Sequence, residues 1–263
     1  MSLDNKVIWI TGASSGIGAA LARLLSQRRS RLILSSRDGK RLQEVRELLA
    51  HPDRAAVLPL DLGQPEVLAP KVEEALALFG HIDILINNAG ISQRSLIAET
   101  GLSVYEKLMR VNYLGTVALS NALLPHFIAR GHGHFAVVTS LMGKFGSPYR
   151  SGYCGAKHAL HGFFDVLRME HQKDGVQVTL VCPGFVRTDI ARNALVGDGS
   201  TQRRQDRATQ RGMAPDLFAR KMVRALEKGK WEVCIGGRET SGVFLKRFFP
   251  KLLHRVVLRS RVV

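Results

Sequence analysis

The chain has 263 residues, 45% of them hydrophobic and 23% charged, enough to bury the core of one large α/β domain or two small ones. Its apolar runs last only a few residues, far short of the roughly 20 that span a bilayer, and an intracellular, cytoplasmic protein is expected. With 38 Lys+Arg against 22 Asp+Glu the formal charge is +16, which permits attraction to nucleic acid, anionic membrane or an anionic substrate and selects none of them.

Short β-branched and aliphatic runs at 6–11, 31–36, 55–60, 82–87, 134–140, 176–182 and 231–235 read as strands. Amphipathic helical patterns fall between them, near 17–27, 39–50, 65–79, 103–129, 149–171 and 215–228. Strict alternation of this kind predicts βαβ units, hence a single doubly wound Rossmann-type α/β domain with a seven-stranded parallel sheet and helices on both faces. Runs such as Val7-Ile8-Trp9-Ile10 are nearly continuous in apolar character, as strands covered on both faces require. No linker or repeat interrupts the pattern before a basic amphipathic extension at 244–263. Ligands in such folds collect beyond the carboxyl ends of the strands, so the residues at those ends carry the functional reading.

After the first strand comes Thr11-Gly12-Ala13-Ser14-Ser15-Gly16-Ile17-Gly18, which opens the first helix. Small residues there let backbone N–H groups of the loop approach a diphosphate, and the positive helix end favours its charge. The loop lacks the Gly-Lys-Ser/Thr ending that marks an ATP or GTP site; a tight strand-to-helix turn is the alternative. The second strand ends Ser35-Ser36-Arg37, where the adenosine ribose of a dinucleotide would lie. No acid stands at Ser36 to accept from a free 2′-hydroxyl, whereas Arg37 could pair with a 2′-phosphate, favouring NADP (NADPH) over NAD. A solvated strand-end arginine is the competing explanation. Asp61-Leu62 closes the third strand with a carboxylate placed to accept from an adenine amine or, alternatively, to cap the next turn. Asn87-Asn88-Ala89-Gly90 closes the fourth, where small and amide-bearing residues could border the cofactor.

The fifth strand ends at Ser140, and Tyr153-Cys154-Gly155-Ala156-Lys157 follows on a helical pattern. At i, i+4 spacing the ammonium would lie beside the phenol and favour its ionised form, making a tyrosine usable as an acid or base. Tyrosine and lysine at that spacing more often mean one half-buried aromatic and one solvated charge. Cys154, Cys182 and Cys234 are odd in number and lack C-x-x-C spacing, which suits free thiols; no Cys/His cluster has the spacing of metal ligands.

Taken together, T-G-x-x-x-G-I-G at 11–18, Asp61, N-N-A-G at 87–90, Asn112, Ser140, Y-x-x-x-K at 153–157, Pro183-Gly184 and Thr188 resemble the short-chain dehydrogenase/reductase family over about residues 5–237. The resemblance implies strand order 3-2-1-4-5-6-7 and an NAD(P)-dependent oxidoreductase acting on a carbonyl/alcohol pair. It implies that Tyr153 is the general acid or base, that Ser140 polarises the same substrate oxygen, and that Lys157 holds the nicotinamide ribose and depresses the Tyr153 pKa. Asn112 would divert its helix ladder to a water that feeds protons to Lys157. Pro183, Gly184, Val186 and Thr188 would border the nicotinamide. No metal is implied. The stretch 143–151, with Phe163-Phe164-Asp165 and 193–200, is similar to the branch that includes member-7-type dehydrogenase/reductases, suggesting lipophilic substrates.

Residues 189–214 stand where that family places a substrate-covering segment, with Arg203, Arg204, Arg207 and Arg211 set against Asp198 and Asp206. From Phe244 onward apolar residues recur at helical spacing amid Lys246, Arg247, Lys251, Arg255, Arg259 and Arg261, a tail suited either to an anionic membrane surface or to packing on the cleft or a neighbouring subunit. Pro250 should break or kink it. The helices around Asn112 and over 149–171 carry surplus apolar residues, and the resemblance implies a homodimer or homotetramer built on them. A non-catalytic dinucleotide-binding sensor would not need Ser140, Tyr153 and Lys157 together, and nothing resembles a nucleic-acid recognition motif.

Overall fold

Val7, Trp9 and their neighbours form strand β1 (Val7–Thr11), every residue of which is buried. Its side chains alternate between two cores: Ile8 and Ile10 face one, Val7 and Trp9 the other. The same division recurs in β2 (Arg31–Ser35), β4 (Ile84–Asn87) and β5 (Gly133–Val138), which explains why their sequences are apolar throughout rather than alternating. With β3 (Ala55–Val57), β6 (Val176–Pro183) and β7 (Glu232–Ile235) they complete a parallel seven-stranded sheet in the order β3-β2-β1-β4-β5-β6-β7. These observations come from a computed structural model that describes residues 2–260.

One core packs α1 (Gly16–Ser26), α2 (Gly39–Glu47) and α8 (Pro215–Glu227), the last preceded by the short α7 (Arg207–Gln210), on the sheet through residues such as Leu21, Leu42 and Phe218. The opposite core takes α3 (Leu68–Phe79), α5 (Gly115–Arg130) and α6 (Ser151–His171), with Phe127 and Phe135 rings 4.8 Å apart at its centre. Between β1 and β4 the connections depart to opposite sides, which opens the crevice that a doubly wound sheet offers a ligand.

Most element ends shift by one to three residues from the sequence expectation, and three places stand out. Strand β3 ends at Val57 rather than residue 60; the chain still runs beside β2, with Leu58 N and Leu60 N donating to the Leu34 and Ser36 carbonyls, and Pro59 between them faces the open edge of the sheet, where its missing N–H breaks no bond. The helix expected over 103–129 is α4 (Leu102–Met109) and α5 joined by a π-helical turn, Arg110–Leu114, with Asn112 at its middle. The tail divides at Phe249 into α9 (Ser241–Phe248) and α10 (Pro250–Arg259), Pro250 serving in the first turn, where its missing N–H costs nothing. Arg261 lies outside the described residues.

Candidate active site

The glycine loop is shaped by close backbone approach. Gly12 has φ +66°, and a Cβ there would meet Ala89 Cα at 2.8 Å; a Cβ on Gly18 would stand 2.1 Å from the Gly12 carbonyl oxygen. Gly16 also has positive φ, +54°, and lies under Thr188. Gly18→Ala should therefore force the loop off the β4 end, lowering dinucleotide affinity and the thermal midpoint together; calorimetry and fluorescence titration check both. Asn88 fixes the loop from the neighbouring strand: its Nδ2 donates to the carbonyls of Thr11 (2.9 Å) and Gly12 (3.2 Å), while Asn88 N and Ala89 N donate to Thr11 Oγ1.

Ser15 is the α1 N-cap in extended conformation, and its side chain makes no capping bond. The first-turn N–H groups of α1 are thus left for another acceptor, and no acid stands in that turn. Ser14 and Ile17 flank this opening, half-buried. Such a cradle fits the diphosphate of a dinucleotide.

Around the rest of that crevice the predicted residues occupy unequal positions. Arg37 is exposed just beyond β2, and the adjacent Asp38 is spent as the α2 N-cap, its Oδ1 accepting from Arg41 N at 3.1 Å. Asp61 Oδ1 accepts from Gly63 N at 2.8 Å, so the turn-capping alternative is realised with one of its two oxygens. Leu62 is buried and its carbonyl abuts Gly115 at the start of α5. Pro183 ends β6, Gly184 N donates to the Ile235 carbonyl, and Val186 is buried beside a bridge to Met213.

Tyr153 and Lys157 project from one face of α6, both buried, with the Lys157 Nζ 5.8 Å from the Tyr153 ring centre. Lys157 Nζ donates to the Val138 carbonyl at 2.9 Å, and burial lowers its pKa to about 8. Burial pushes the Tyr153 phenol above its ordinary value; a hydrogen bond with Ser140 and the charges of Arg94 and Arg150 pull in the other direction. Of these influences on the phenol desolvation is the largest, and the cations that oppose it are arginines. Ser140 Oγ accepts from Met142 N at 3.0 Å, which occupies a lone pair and leaves the hydroxyl proton directed elsewhere.

The π-helical turn brings fully buried Asn112 to the end of β4. Its Nδ2 donates to the Ile91 carbonyl (2.9 Å) and its Oδ1 accepts from Ile91 N (2.8 Å). A Cβ on Gly90 would come 2.9 Å from Asn112 Oδ1 and 3.5 Å from Lys157 Nζ, so the glycine keeps amide and ammonium close.

Sequence reading did not foresee the group beside Tyr153. Arg94 Nη2 and Nε donate to Asp206 Oδ2 at 2.6 and 2.9 Å, and Arg150 Nη2 reaches the same oxygen at 3.3 Å, all three side chains being buried. Asp206 belongs to the segment 189–214, whose charges otherwise read as a solvated face. Gln93, fully buried, accepts from Gly152 N and so holds the start of α6; Glu239 Oε1 accepts from Phe185 N and Gly237 N, tying the tail to the turn after β6. None of these has a recognisable spacing, since their partners are distant in the chain.

The described cysteines are free, yet Cys182 and Cys234 face each other across β6 and β7 and, with Glu232, bring their ligand atoms within 4.8 Å of one another. Strand pairing makes that grouping, and chain spacing conceals it. Glu232 is engaged by His161 and Lys144, which hold its carboxyl down at about 2.

Ser140 and Tyr153 open onto a cleft of about 390 Å³, within the range of small-molecule sites. Its apolar lining comes from Phe145, Phe185 and Ile190 with Leu245, Leu253 and Val257 of the tail, and Arg94, Arg150, Arg238 and Glu239 line it too. Two hydroxyl groups thus share one cleft, with the buried Lys157 ammonium beside Tyr153.

Comparison with known proteins agrees with this geometry. The short chain dehydrogenase family model matches residues 6–197. The chain is similar to dehydrogenase/reductase SDR family member 7B of Danio rerio, 39% identical over 264 residues that cover 97% of this chain and 85% of that protein. In fold it resembles a short chain dehydrogenase/reductase from Burkholderia phymatum in complex with NAD, with TM-score 0.85, 21% identity and coverage of 100% and 98% of the two chains. An alcohol dehydrogenase from Thermococcus sibiricus complexed with 5-hydroxy-NADP gives TM-score 0.75 at 25% identity, covering 89% of this chain and 97% of that one. With its glycine loop, Ser140, Tyr153 and Lys157 gathered at one sheet crevice, the chain belongs to the short-chain dehydrogenase/reductase family and is an NAD(P)-dependent oxidoreductase.

Proposed function

We propose that the protein is an NADP-dependent enzyme that interconverts a lipophilic carbonyl compound and its secondary alcohol. The observation that carries the reaction is that Ser140 and Tyr153 line one cleft, with Lys157 beside Tyr153 on α6 and the α1 N-cap left without a side-chain bond. A nicotinamide dinucleotide supplies or accepts the hydride when bound. Gly12, Ser14, Ser15, Gly16, Ile17 and Gly18 would hold its diphosphate, Asp61 and Leu62 its adenine end, Asn88, Ala89 and Gly90 its riboses, and Pro183, Gly184, Val186 and Thr188 its nicotinamide.

During reduction negative charge develops on the carbonyl oxygen. Ser140 donates a hydrogen bond to it and Tyr153 gives it a proton, so both contacts strengthen as charge builds. Burial keeps the phenol in its protonated form, the one that can donate. Lys157 stands behind Tyr153, with Asn112 beside it to anchor the route by which the proton is replaced. In oxidation the same groups act in reverse.

Support for NADP comes from exposed Arg37 at the end of β2, with the neighbouring Asp38 committed to helix capping. Arg37→Ala is expected to weaken NADPH about ten- to a hundredfold while leaving NADH within a few-fold, a contrast that titration of intrinsic fluorescence measures. Equal loss for both dinucleotides would remove the assignment. The apolar cleft wall supports a lipophilic substrate, and a screen of NADPH consumption over ketosteroids, retinals, keto-lipids and small carbonyls tests it. Exposed Ile128 on α5 with Val166 and Met169 on α6 supports assembly into a homodimer or homotetramer through these helices.

A further inference from the structure

Helices α9 and α10 have two differently built faces. Inward, Leu253 is buried and Val257 and Leu245 pack with it against Leu141 and Phe145, forming part of the wall of the cleft that holds Ser140 and Tyr153. Outward, Phe244, Phe248 and Phe249 are 58%, 60% and 54% exposed, and Leu252 and Leu258 are exposed beside them. The three rings cluster, with Phe244 4.8 Å from Phe248 and 6.1 Å from Phe249. Aromatic side chains so far in water carry a large unrecovered burial term, and a clustered patch of them marks a surface meant for contact.

The charge around the patch says what it contacts. From Thr240 to Ser260 the chain contains no Asp or Glu, whereas Lys246, Arg247, Lys251, Arg255 and Arg259 are all exposed. On α10, Lys251, Arg255 and Arg259 recur every four residues and form one stripe. Clustered phenylalanines ringed by uncompensated cations match the boundary of an anionic bilayer, where rings enter the acyl region and cations meet lipid phosphates. A second copy of this strongly basic chain would bring cations against cations there. Among the described residues no helix is long and apolar enough to cross a membrane, so contact at the surface is the form this takes.

We propose that the outer face of α9 and α10 docks on an anionic lipid bilayer, placing the tail-lined side of the catalytic cleft against the membrane surface. The same two helices then serve as anchor and as cleft wall. A lipophilic substrate would pass between bilayer and cleft along them without crossing bulk water. The docking itself does not depend on the reaction, and its test uses neither cofactor nor substrate.

The test is flotation of the full chain with phosphatidylcholine vesicles, with and without phosphatidylserine, at low and high salt. Binding is expected only to the phosphatidylserine vesicles and should weaken as salt rises. The double variant Phe248→Asp/Phe249→Asp is expected to lose at least about tenfold in bound fraction, and Lys251→Glu/Arg255→Glu a similar amount. All four positions are exposed and lie outside the cleft lining, so the thermal midpoint should stay near that of wild type and separate lost docking from lost fold. The proposal is overturned if wild type ignores phosphatidylserine vesicles or if both variants float as well as wild type. It is equally overturned if sedimentation shows the phenylalanine variant splitting a dimer while vesicle binding persists, because the patch would then be a subunit interface.

Discussion

Tyr153→Phe should retain the fold and dinucleotide affinity within a few-fold while turnover falls roughly 10²–10⁴-fold, the span a positioned general acid contributes. Substitution removes only the phenolic oxygen, and the ring keeps its buried place on α6. What disappears is the proposed proton donor that meets the developing alkoxide across the cleft from Ser140. The loss should appear in kcat, because the contact matures in the transition state. Stopped-flow measurement of hydride transfer beside equilibrium titration of NADPH separates the two effects. A variant that keeps most of its rate would falsify the assignment of Tyr153 as the acid. The pH profile adds a sign. Since the neutral phenol is the donor, reduction should be sustained on the acidic side of its pKa and decline above it, whereas oxidation, which needs a base, should rise there.

Asp206→Ala is expected to cost about 3–5 kcal/mol of folding stability, far more than an ordinary surface change. Its carboxylate lies between the guanidinium groups of Arg94 and Arg150, with side-chain exposures of 1%, 5% and 5%. Burial already lowers the Arg150 pKa to about 10, with repulsion from Arg94 adding to the effect and Asp206 opposing it. Without the carboxylate two buried cations face each other with their main compensating charge gone. Urea unfolding of this variant, with exposed Glu44→Ala as a control expected to stay within about 0.5 kcal/mol, measures the difference. A cost near that of the control would show that the two arginines rehydrate freely and that the cleft edge is softer than its packing indicates. Both arginines act on the Tyr153 phenol, so the same variant should also shift the pH dependence of turnover toward lower pH.

The two predictions draw on groups that differ in how far they could be read from the chain. Tyr153 and Lys157 are legible because a helix repeats every 3.6 residues and turns a four-residue spacing into a shared face. The glycines at 12, 16 and 18 are legible because close backbone approach excludes a side chain, a constraint that acts locally. Asn112 shows as an amide in an apolar helix, although the π-helical turn that seats it against Ile91 does not. The Arg94–Asp206–Arg150 group was hidden. Its members are 112 and 56 residues apart along the chain, and each alone has the chemistry of a solvated surface charge. Cys182 and Cys234 were hidden in the same way, brought side by side only by the register of β6 with β7.

Local periodicity and the need for small residues at tight turns therefore determined, from sequence alone, the doubly wound sheet and the shared helix face of Tyr153 and Lys157, while the acid-base role of that pair came with the family resemblance. Tertiary structure decided the surroundings of that pair: burial pushes the Tyr153 phenol up, and the charges of Arg94 and Arg150, distant in the chain, pull it down. It also decided that the basic tail folds back as two helices, one face closing the cleft and the other facing outward with its phenylalanines. Backbone propensity and side-chain spacing act over a few residues and are written in order along the chain. Desolvation and pairing of charge depend on which surfaces meet, and only the packed fold brings those surfaces together.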